Sequence, residues 1–319
     1  MFNRRYIREK VVQAYYGFAQ GGCESALSCQ KNFLTGLDQT AQLYYYQLGF
    51  VVTLADYAAE QYRQAKERGI RSQKLLEGLR MMAENAAIEK LRRDSVLKTK
   101  TAEYRFDTQA LHDLAKSVYE SLFLNQGEGS VAGRMQADTS DEDPFLHHRE
   151  FLRRLYKRKI SDHPALRAYC EEHSLYWEAD YESACFWAYT TLARMEEENE
   201  TGIDEGWTVD DEVVTFGKTL LEKTLLHHDT YNRYVAESLE NWRQERIGIT
   251  ESVLLCVAVS EMINFPSIPI KVSLNEYIEL SKHFCSKDSA AFVNGVLNKV
   301  AGKLKEEKVI KKSGRGLIG

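Results

Sequence analysis

The spacing of apolar residues between positions 33 and 65 constrains the fold more than any other feature of the sequence. Apolar side chains recur there at intervals of three and four residues: Phe33, Leu37, Ala41, Tyr44, Leu48, Val51, Ala55, Ala58, Tyr62 and Ala65. This spacing matches the 3.6-residue turn of a helix, whereas a half-buried strand would alternate. The pattern predicts one long helix that packs along a partner helix.

Helical spacing recurs along most of the chain, and little of the sequence is suited to a sheet. The 319 residues contain four prolines, and runs of alternating Val, Ile and Thr are few. A first helix over residues 3–20 is predicted between the candidate N-cap Asn3 and the pair Gly21 and Gly22. The sequence therefore predicts an all-α protein, built as a multi-helix bundle.

A polar, glycine-rich and acidic stretch, NQGEGSVAGRMQADTSDEDP, interrupts the helical pattern at residues 125–144. Such a composition is typical of a linker or a mobile loop. We therefore expect an N-terminal helical region at residues 1–143 and a C-terminal helical domain at residues 144–319. The first helix would contribute a basic face to the function of the second part.

The charge distribution is uneven. The formal net charge of −5 argues against an indiscriminate nucleic-acid binder. The first ten residues nevertheless carry four basic side chains: Arg4, Arg5, Arg8 and Lys10. The sequence from Ala301 onward is also rich in lysine, and its last basic residue is Arg315. Because Arg4 and Arg8 are four residues apart on a helix, we expect them to share a face and form a basic ridge.

Several classes of protein are disfavoured by the sequence. The charged start MFNRRYIREK is not followed by the apolar core of a secretory leader. The longest apolar stretch, at residues 43–59, carries Gln47 and Asp56 and is too short to span a membrane. We expect a cytoplasmic protein with no membrane association. The six cysteines form no C-x-x-C pair, so we expect reduced and mostly buried thiols.

The sequence contains no recognisable motif for catalysis or metal binding. The glycines of GEGSVAG, at residues 127–133, have the wrong spacing for a dinucleotide-binding loop. The adjacent pairs His147–His148 and His227–His228 would direct their rings apart on a helix, and no zinc-ligand spacing surrounds them. No G-x-S-x-G and no P-loop occurs. We expect no enzymatic activity, no metal and no cofactor.

The sequence near the carboxyl end predicts several local structures. Thr250 is a candidate N-cap for a nearly all-apolar, buried helix, and Ser273 with Glu276 matches a capping box for the next helix. Asp288 and Ser289 are candidates to begin the last helix. Gly295 inside that helix costs about 1 kcal/mol relative to alanine. Its presence there predicts a neighbour too close for a Cβ atom.

Two blocks of sequence resemble the NusB family of transcription antitermination factors. The run IPIKVSLNEYIELSKHF at residues 268–284, followed by FVNGVLNK at 292–299, is similar to that family's pattern at ten positions: Pro269, Lys271, Asn275, Glu276, Glu279, Lys282, Phe284, Phe292, Asn294 and Gly295. RRYIREKVVQAYYGF at residues 4–18 resembles the family's arginine-rich first helix. The chain resembles a long form, with surplus helices between Gly21 and about Glu205 and a tail that ends in Gly-Arg-Gly-Leu.

The resemblance implies a function and a set of site residues. A protein of this kind would bind boxA-type single-stranded RNA of ribosomal RNA operons together with NusE, a small-subunit ribosomal protein, within an antitermination complex on RNA polymerase. The residues implied in RNA binding are Arg4, Arg5, Arg8, Asp288, Phe292 and Asn294. Tyr16 and Glu251 would face NusE. Arginines that contact phosphates and an aromatic ring that stacks on a base are common in single-strand recognition.

Two other interpretations of the sequence stay open. The alternative to the RNA-binding factor is a helical interaction scaffold that binds NusE or another partner and has lost its affinity for RNA. NusB-like modules also occur fused to ribosomal RNA methyltransferases, but no cofactor-binding glycine loop follows in this chain. The surplus helices are either added packing surface around the core, a docking site, or a cover over the partner-binding face.

Overall fold

The computed structural model describes residues 2–22, 25–124, 143–198, 203, 211–239, 247–286 and 288–317. Within these ranges the chain folds into helices joined mostly by short connections, and no strand occurs among the described residues. The predicted all-α class is confirmed.

The helices have the following bounds: α1 (Arg4–Ala19), α2 (Ala26–Glu67), α3 (Gln73–Ala83), α4 (Ala86–Arg93), α5 (Ser95–Tyr104), α6 (Thr108–Tyr119), α7 (Pro144–Leu155), α8 (Pro164–His173), α9 (Leu175–Arg194), α10 (Asp211–Glu237), α11 (Ile249–Asn264), α12 (Ile270–Phe284) and α13 (Ser289–Glu306). Short π-helical turns follow α6 and α7, and a 3-10 turn, Gly314–Leu317, closes the described chain. The long helix predicted from apolar spacing is confirmed as α2, which has 42 residues.

Contacts within the chain define two compact units. The terminal unit comprises Met1–Leu37 and Val209–Gly319, and the inserted unit comprises Asp38–Thr208. This grouping differs from the predicted division at residue 143, because α1 packs against α10 and α11 from the far end of the sequence. Local composition carries no information about such long-range packing. The linker predicted at 125–144 falls almost wholly on residues outside the described ranges and stays a prediction.

Helix α11 forms the centre of the terminal unit. Its residues from Val253 to Met262 are all buried, and it packs against α1, α10, α12 and α13. A helix that is apolar on nearly every side is buried by neighbours on nearly every side, as the sequence predicted. The predicted Thr250 cap is wrong, because the extended N-cap residue is Gly248 and Thr250 already lies in the first turn.

Helix α1 lies against α10 at a point where side chains pack directly on the α10 backbone. Ile7 and Val11 of α1 are fully buried. A Cβ atom on Gly217 of α10 would lie 2.5 Å from both Ile7 Cγ2 and Phe33 Cζ, which is closer than side-chain atoms can approach. Glycine at this position therefore permits the contact that fixes α1 on the terminal unit.

Two local predictions about α12 and α13 are wrong. Helix α12 begins after Pro269, so Ser273 is inside the helix and donates its Oγ hydrogen bond to Glu261 across 2.7 Å, not to a capping position shared with Glu276. A Cβ atom on Gly295 would have no atom within 4 Å, so no close neighbour explains this glycine.

The inserted unit has an aromatic core of its own. Its largest fully buried side chains include Tyr44, Tyr46, Tyr156, Trp177 and Tyr181. The Tyr46 ring stacks on Tyr169 with the ring centroids 5.4 Å apart. Aromatic pairs of this geometry add about 0.5–1.5 kcal/mol beyond the burial of their area. The unit is therefore a packed structure and not a loose extension.

Two findings concern membranes and metals. None of the helices in the described part of the chain is long and apolar enough to cross a membrane. The described residues also contain no group of three or more His, Cys, Asp or Glu side chains arranged to hold a metal ion.

Candidate nucleic-acid interface

The amino end of α1 carries a cluster of arginine side chains. Asn3 caps the helix by accepting a hydrogen bond from the Tyr6 backbone N–H, at 2.9 Å, as predicted. The first turn then carries Arg4 and Arg5 and no acidic residue. Because a helix N-terminus is already partly positive, cations there gain nothing from the helix dipole. The arrangement instead adds their charge to that of the helix end.

Arg4 and Arg5 are exposed and each bonds to one carboxylate. The Arg4 guanidinium lies 2.7 Å from Glu212 Oε1, and both side chains are largely exposed. Arg5 donates through Nε and Nη2 to Glu276 at 2.9 and 2.8 Å. These hydrogen bonds hold the pKa of the Glu276 carboxyl below its usual value, although burial opposes the shift. The Arg4–Glu212 pair is exposed, and exposed ion pairs contribute only about 0.2–1 kcal/mol. The Glu276 side chain is 18% exposed, so the Arg5 pair is more shielded from solvent.

Arg8 is not part of an exposed ridge with Arg4, and that sequence-based prediction is wrong. Its side chain is 4% exposed, and its Nε and Nη2 donate to the fully buried Glu261 at 2.7 and 2.9 Å. The two positions differ by about 40° around a helix. Because of this difference in direction, the Arg8 side chain lies against α11, whereas the Arg4 side chain faces solvent.

The Glu261 carboxylate connects three helices. Besides the two hydrogen bonds from Arg8, it accepts one from Ser273 Oγ at 2.7 Å and one from Tyr277 Oη at 3.1 Å. Burial alone would lower the pKa of the Arg8 guanidinium, but the hydrogen bonds and charge of Glu261 raise it above its usual value. A buried carboxylate with this many donors is well satisfied. It ties α1 to α11 and α12.

A pocket opens beside the arginine-bearing end of α1. Its volume is about 780 Å³, and its walls come from α1, the α11–α12 turn, the start of α12 and the carboxyl-terminal tail. Four arginines, Arg4, Arg5, the largely buried Arg8 and Arg315, line it together with a single carboxylate, Glu276. An excess of guanidinium groups in a concave site favours an anionic ligand.

The structure does not bring the predicted residues of α13 into this pocket. Asp288 is exposed at the N-cap of α13, and its side chain makes no capping hydrogen bond. Phe292 is half-buried one turn later, so Asp288 and Phe292 lie on one side of the helix. Asn294 is exposed, but it lies roughly 200° around the helix from Phe292. Its Oδ1 accepts a hydrogen bond from Asn298 Nδ2 at 2.7 Å.

The two residues implied in partner binding have different surroundings. Glu251 is half-buried at the start of α11, and its Oε1 accepts a hydrogen bond from Ser289 Oγ at 2.8 Å. A carboxylate beside the first residue of α13 stabilises that helix N-terminus. Tyr16 is 38% exposed on α1, and its Oη accepts a hydrogen bond from Gln20 Nε2 at 2.9 Å.

Tyr16 and Arg5 lie on the same side of α1. They are eleven residues apart, which is close to three helical turns and places them roughly 16 Å apart along the axis. The residue implied in partner binding and an exposed arginine therefore share one face of the helix. The regular geometry of α1 is sufficient to produce this alignment.

Sequence reasoning missed two residues of the pocket, Glu276 and Arg315. Glu276 was noted only as part of a motif and of a capping box, whereas it is the carboxylate that Arg5 contacts. Arg315 belongs to a tail whose basic composition was evident from the sequence. That charge was the available signal, but only the fold brings the tail to α1.

Comparison with known proteins identifies relatives for the later part of the chain. The model of the NusB family matches residues 187–302, which include the end of α9, α10–α12 and most of α13. Helix α1 lies outside the matched residues. No solved structure was found to match the chain.

Three similar proteins all carry the description transcription antitermination protein NusB. The protein from Myxococcus xanthus is 34% identical over 114 residues, which cover 36% of this chain and 81% of that relative. The protein from Halalkalibacterium halodurans is 37% identical over 105 residues, covering 33% of this chain and 75% of the relative. The protein from Chloroherpeton thalassium is 38% identical over 85 residues, or 27% of this chain, and the match spans 40% of that relative's length.

Proposed function

The chain belongs to the NusB family, and on that premise we propose that it is a non-enzymatic transcription antitermination factor. It binds boxA-type single-stranded RNA of ribosomal RNA operons in the cytoplasm, together with NusE. The pair then joins an antitermination complex on RNA polymerase. The relatives support this proposal by their description as transcription antitermination proteins.

The observation that carries the RNA-binding proposal is the exposure of Arg4 and Arg5 at the capped start of α1. Both guanidinium groups line the pocket of about 780 Å³; Arg4 pairs with the exposed Glu212, and Arg5 pairs with Glu276, whose side chain is 18% exposed. Phosphate can replace those carboxylates, because arginine forms paired hydrogen bonds with either group. Single strands are held through phosphates and through bases stacked on aromatic rings. Phe292, half-buried at the start of α13, is the proposed stacking residue.

The remaining implied residues have less direct roles in this proposal. Arg8 supports the site by fixing α1 on Glu261, because its guanidinium is buried in that pair. Asp288 lies on the side of α13 that carries Phe292 and accepts hydrogen bonds from bases. Asn294 contacts RNA only where the strand passes around the helix. Tyr16 and Glu251 are the proposed NusE contacts.

The net charge of −5 supports a requirement for the partner. An acidic protein repels the RNA backbone at long range, whereas affinity for nucleic acid rises with the number of phosphates neutralised. A partner rich in basic residues would supply the missing charge. We therefore expect binding by the pair to be much tighter than binding by the chain alone.

The experiment for this proposal compares two double variants in the presence of NusE. Arg4→Ala with Arg5→Ala removes two exposed cations from the pocket, and Lys218→Ala with Lys305→Ala removes two exposed cations elsewhere on the terminal unit. Charged hydrogen bonds contribute about 1.5–3 kcal/mol each, so the first variant should lose roughly tenfold or more in affinity for boxA RNA. Equal affinities for the two variants would exclude the pocket as the RNA site.

A second candidate function, an interaction scaffold without RNA affinity, is favoured by one observation. Each arginine implied in RNA binding bonds to a carboxylate of the chain itself: Glu212, Glu276 or Glu261. A surface whose cations are already neutralised attracts RNA less strongly. Under this alternative the chain binds NusE, and the complex has no greater affinity for RNA than NusE alone.

A further inference from the structure

The chain after α13 is held against the α11–α12 turn. Lys308 adopts a positive φ of 57° that ends the helix and turns the tail back. The Ser313 N–H then donates to the Pro266 carbonyl at 3.0 Å, and Lys312 Nζ donates to the Phe265 carbonyl at 3.0 Å. Both carbonyls belong to the turn that forms one wall of the pocket. The tail therefore has a defined position.

The two glycines of Gly-Arg-Gly hold Arg315 in place. Gly314 has a φ of +56°, which side chains other than glycine adopt at a cost. Gly316 is buried, and a Cβ atom there would lie 1.9 Å from the Pro266 carbonyl oxygen. No residue with a side chain can occupy that position without moving the tail. The close approach therefore requires glycine at position 316, and the backbone conformation favours glycine at position 314.

Arg315 lines the same pocket as Arg4 and Arg5, although more than 300 residues separate them in sequence. Arg315 is exposed to solvent. The two hydrogen bonds to Glu276 use only two of the five N–H donors of Arg5. The pocket therefore offers guanidinium donors from both ends of the chain, and one carboxylate opposes them.

The apolar part of the pocket suits a nucleic-acid backbone better than a free ion. Ile268 and Val272 line the pocket beside the arginines, and the residue Val272 is 42% exposed. A strand of RNA presents sugars next to each phosphate, and apolar side chains can contact the sugar while guanidinium groups bind the phosphate. A pocket of about 780 Å³ has room for a phosphate with its adjoining sugar.

We propose that the tail is part of the RNA-binding surface, and that Arg315 and Arg5 together bind one phosphate of a single strand in this pocket. This inference rests on the proposed function and extends it to the far end of the chain. Guanidinium groups fit phosphate because their planar fork donates two parallel hydrogen bonds. Gly314 and Gly316 position the Arg315 guanidinium, and the bound RNA strand contacts the α11–α12 turn beside it.

The test uses the full chain with NusE and a labelled boxA RNA, measured by fluorescence anisotropy at several salt concentrations. Arg315→Ala is compared with Lys311→Ala, which removes the same charge from an exposed position of the same tail outside the pocket. We expect Arg315→Ala to weaken RNA binding about tenfold. It should also reduce the slope of log affinity against log salt by about 0.7, as expected for one lost contact to a single strand.

Two further variants test whether RNA binding depends on the position and shape of the Arg315 guanidinium or only on its charge. Arg315→Lys keeps the charge without the planar fork and should recover only part of the affinity. Gly316→Ala keeps Arg315 but displaces the tail, so it should lose affinity to a similar extent as Arg315→Ala. Thermal unfolding of each variant confirms that the terminal unit stays folded.

The outcomes distinguish this inference from the proposed function. If the wild-type pair does not bind RNA more tightly than NusE alone, both are wrong. If the wild-type pair binds but Arg315→Ala and Lys311→Ala have equal affinities, only the role of the tail is wrong. A loss of NusE binding by Arg315→Ala, measured without RNA, would show a protein-binding pocket and would also overturn the inference.

Discussion

Replacing Arg8 with alanine tests the structural role of the buried ion pair. The substitution leaves the carboxylate of Glu261 fully buried without its charged partner, although Ser273 and Tyr277 still donate hydrogen bonds to it. Removing one partner of a buried pair costs about 3–5 kcal/mol. Because two donors remain, we expect the lower end of that range, about 3 kcal/mol. This corresponds to a fall of roughly 6–12 °C in Tm for a unit of this size.

Replacing Glu261 with alanine should destabilise the terminal unit more than replacing Arg8 does. Glu261→Ala leaves the buried Arg8 guanidinium with only a longer contact, 3.6 Å, to Glu276, and it removes the acceptor of Ser273 and Tyr277. We expect a loss near the upper end of the range, about 5 kcal/mol. The double variant Arg8→Met with Glu261→Leu replaces the pair by apolar groups. Its cost should be smaller than the sum of the single costs by on the order of 2–3 kcal/mol.

The assay is thermal unfolding combined with hydrogen exchange measured by mass spectrometry. Faster exchange in peptides from α1 and α11, with unchanged exchange in α9, would locate the effect in the terminal unit. Arg4→Ala is the control, because Arg4 is exposed on the same helix and should change stability by about 0.5 kcal/mol or less. The structural role would be refuted by an Arg8→Ala variant that is as stable as Arg4→Ala. RNA affinity lost at full stability would show a direct contact instead.

Three other predictions follow from single contacts. Gly217→Ala should destabilise the terminal unit by about 1–3 kcal/mol in chemical unfolding, because its Cβ atom would lie 2.5 Å from Phe33 Cζ; an unchanged midpoint would contradict the close approach. Gly295→Ala should stabilise α13 by up to about 1 kcal/mol, since no atom lies within 4 Å of the added Cβ; a loss of stability would reveal a missed neighbour. The lowered pKa of Glu276 contributes stability above its unfolded pKa, near 4.5, that is lost as the pH falls through the folded value. Glu276→Gln should therefore reduce the loss of stability between neutral and acidic pH, and an unchanged pH profile would mean that the Arg5 pair adds nothing.

Apolar spacing was a sufficient guide to the helices because helix formation depends on local sequence and on one buried face. The spacing from Phe33 predicted α2, and Asn3 was correctly identified as the cap of α1. Boundaries chosen from cap residues alone were less accurate. Ser273 has the residue type and spacing of a cap, yet its hydroxyl bonds to Glu261 inside the protein. The alternative partner comes from another helix, and local sequence contains no sign of it.

The residues that line the pocket could be predicted only in part, for a similar reason. Arg4, Arg5 and Arg8 were recognised from local charge, and all three line the pocket. Arg8 was assigned to the same ridge because a spacing of four residues gives nearly the same direction, but the burial of that direction depends on where α11 lies. Arg315 was missed because the approach of the tail to α1 is a property of the packed chain.

The measurement that tests the central claim most directly is the binding of a boxA RNA by the wild-type chain, by NusE and by both together. Labelled boxA RNA and a scrambled RNA of equal length are titrated at two salt concentrations and followed by fluorescence anisotropy. We predict that the pair binds boxA RNA at least tenfold more tightly than either protein alone and more tightly than it binds the scrambled strand. Formation of the protein pair with no gain in RNA affinity would contradict the antitermination proposal and support the scaffold.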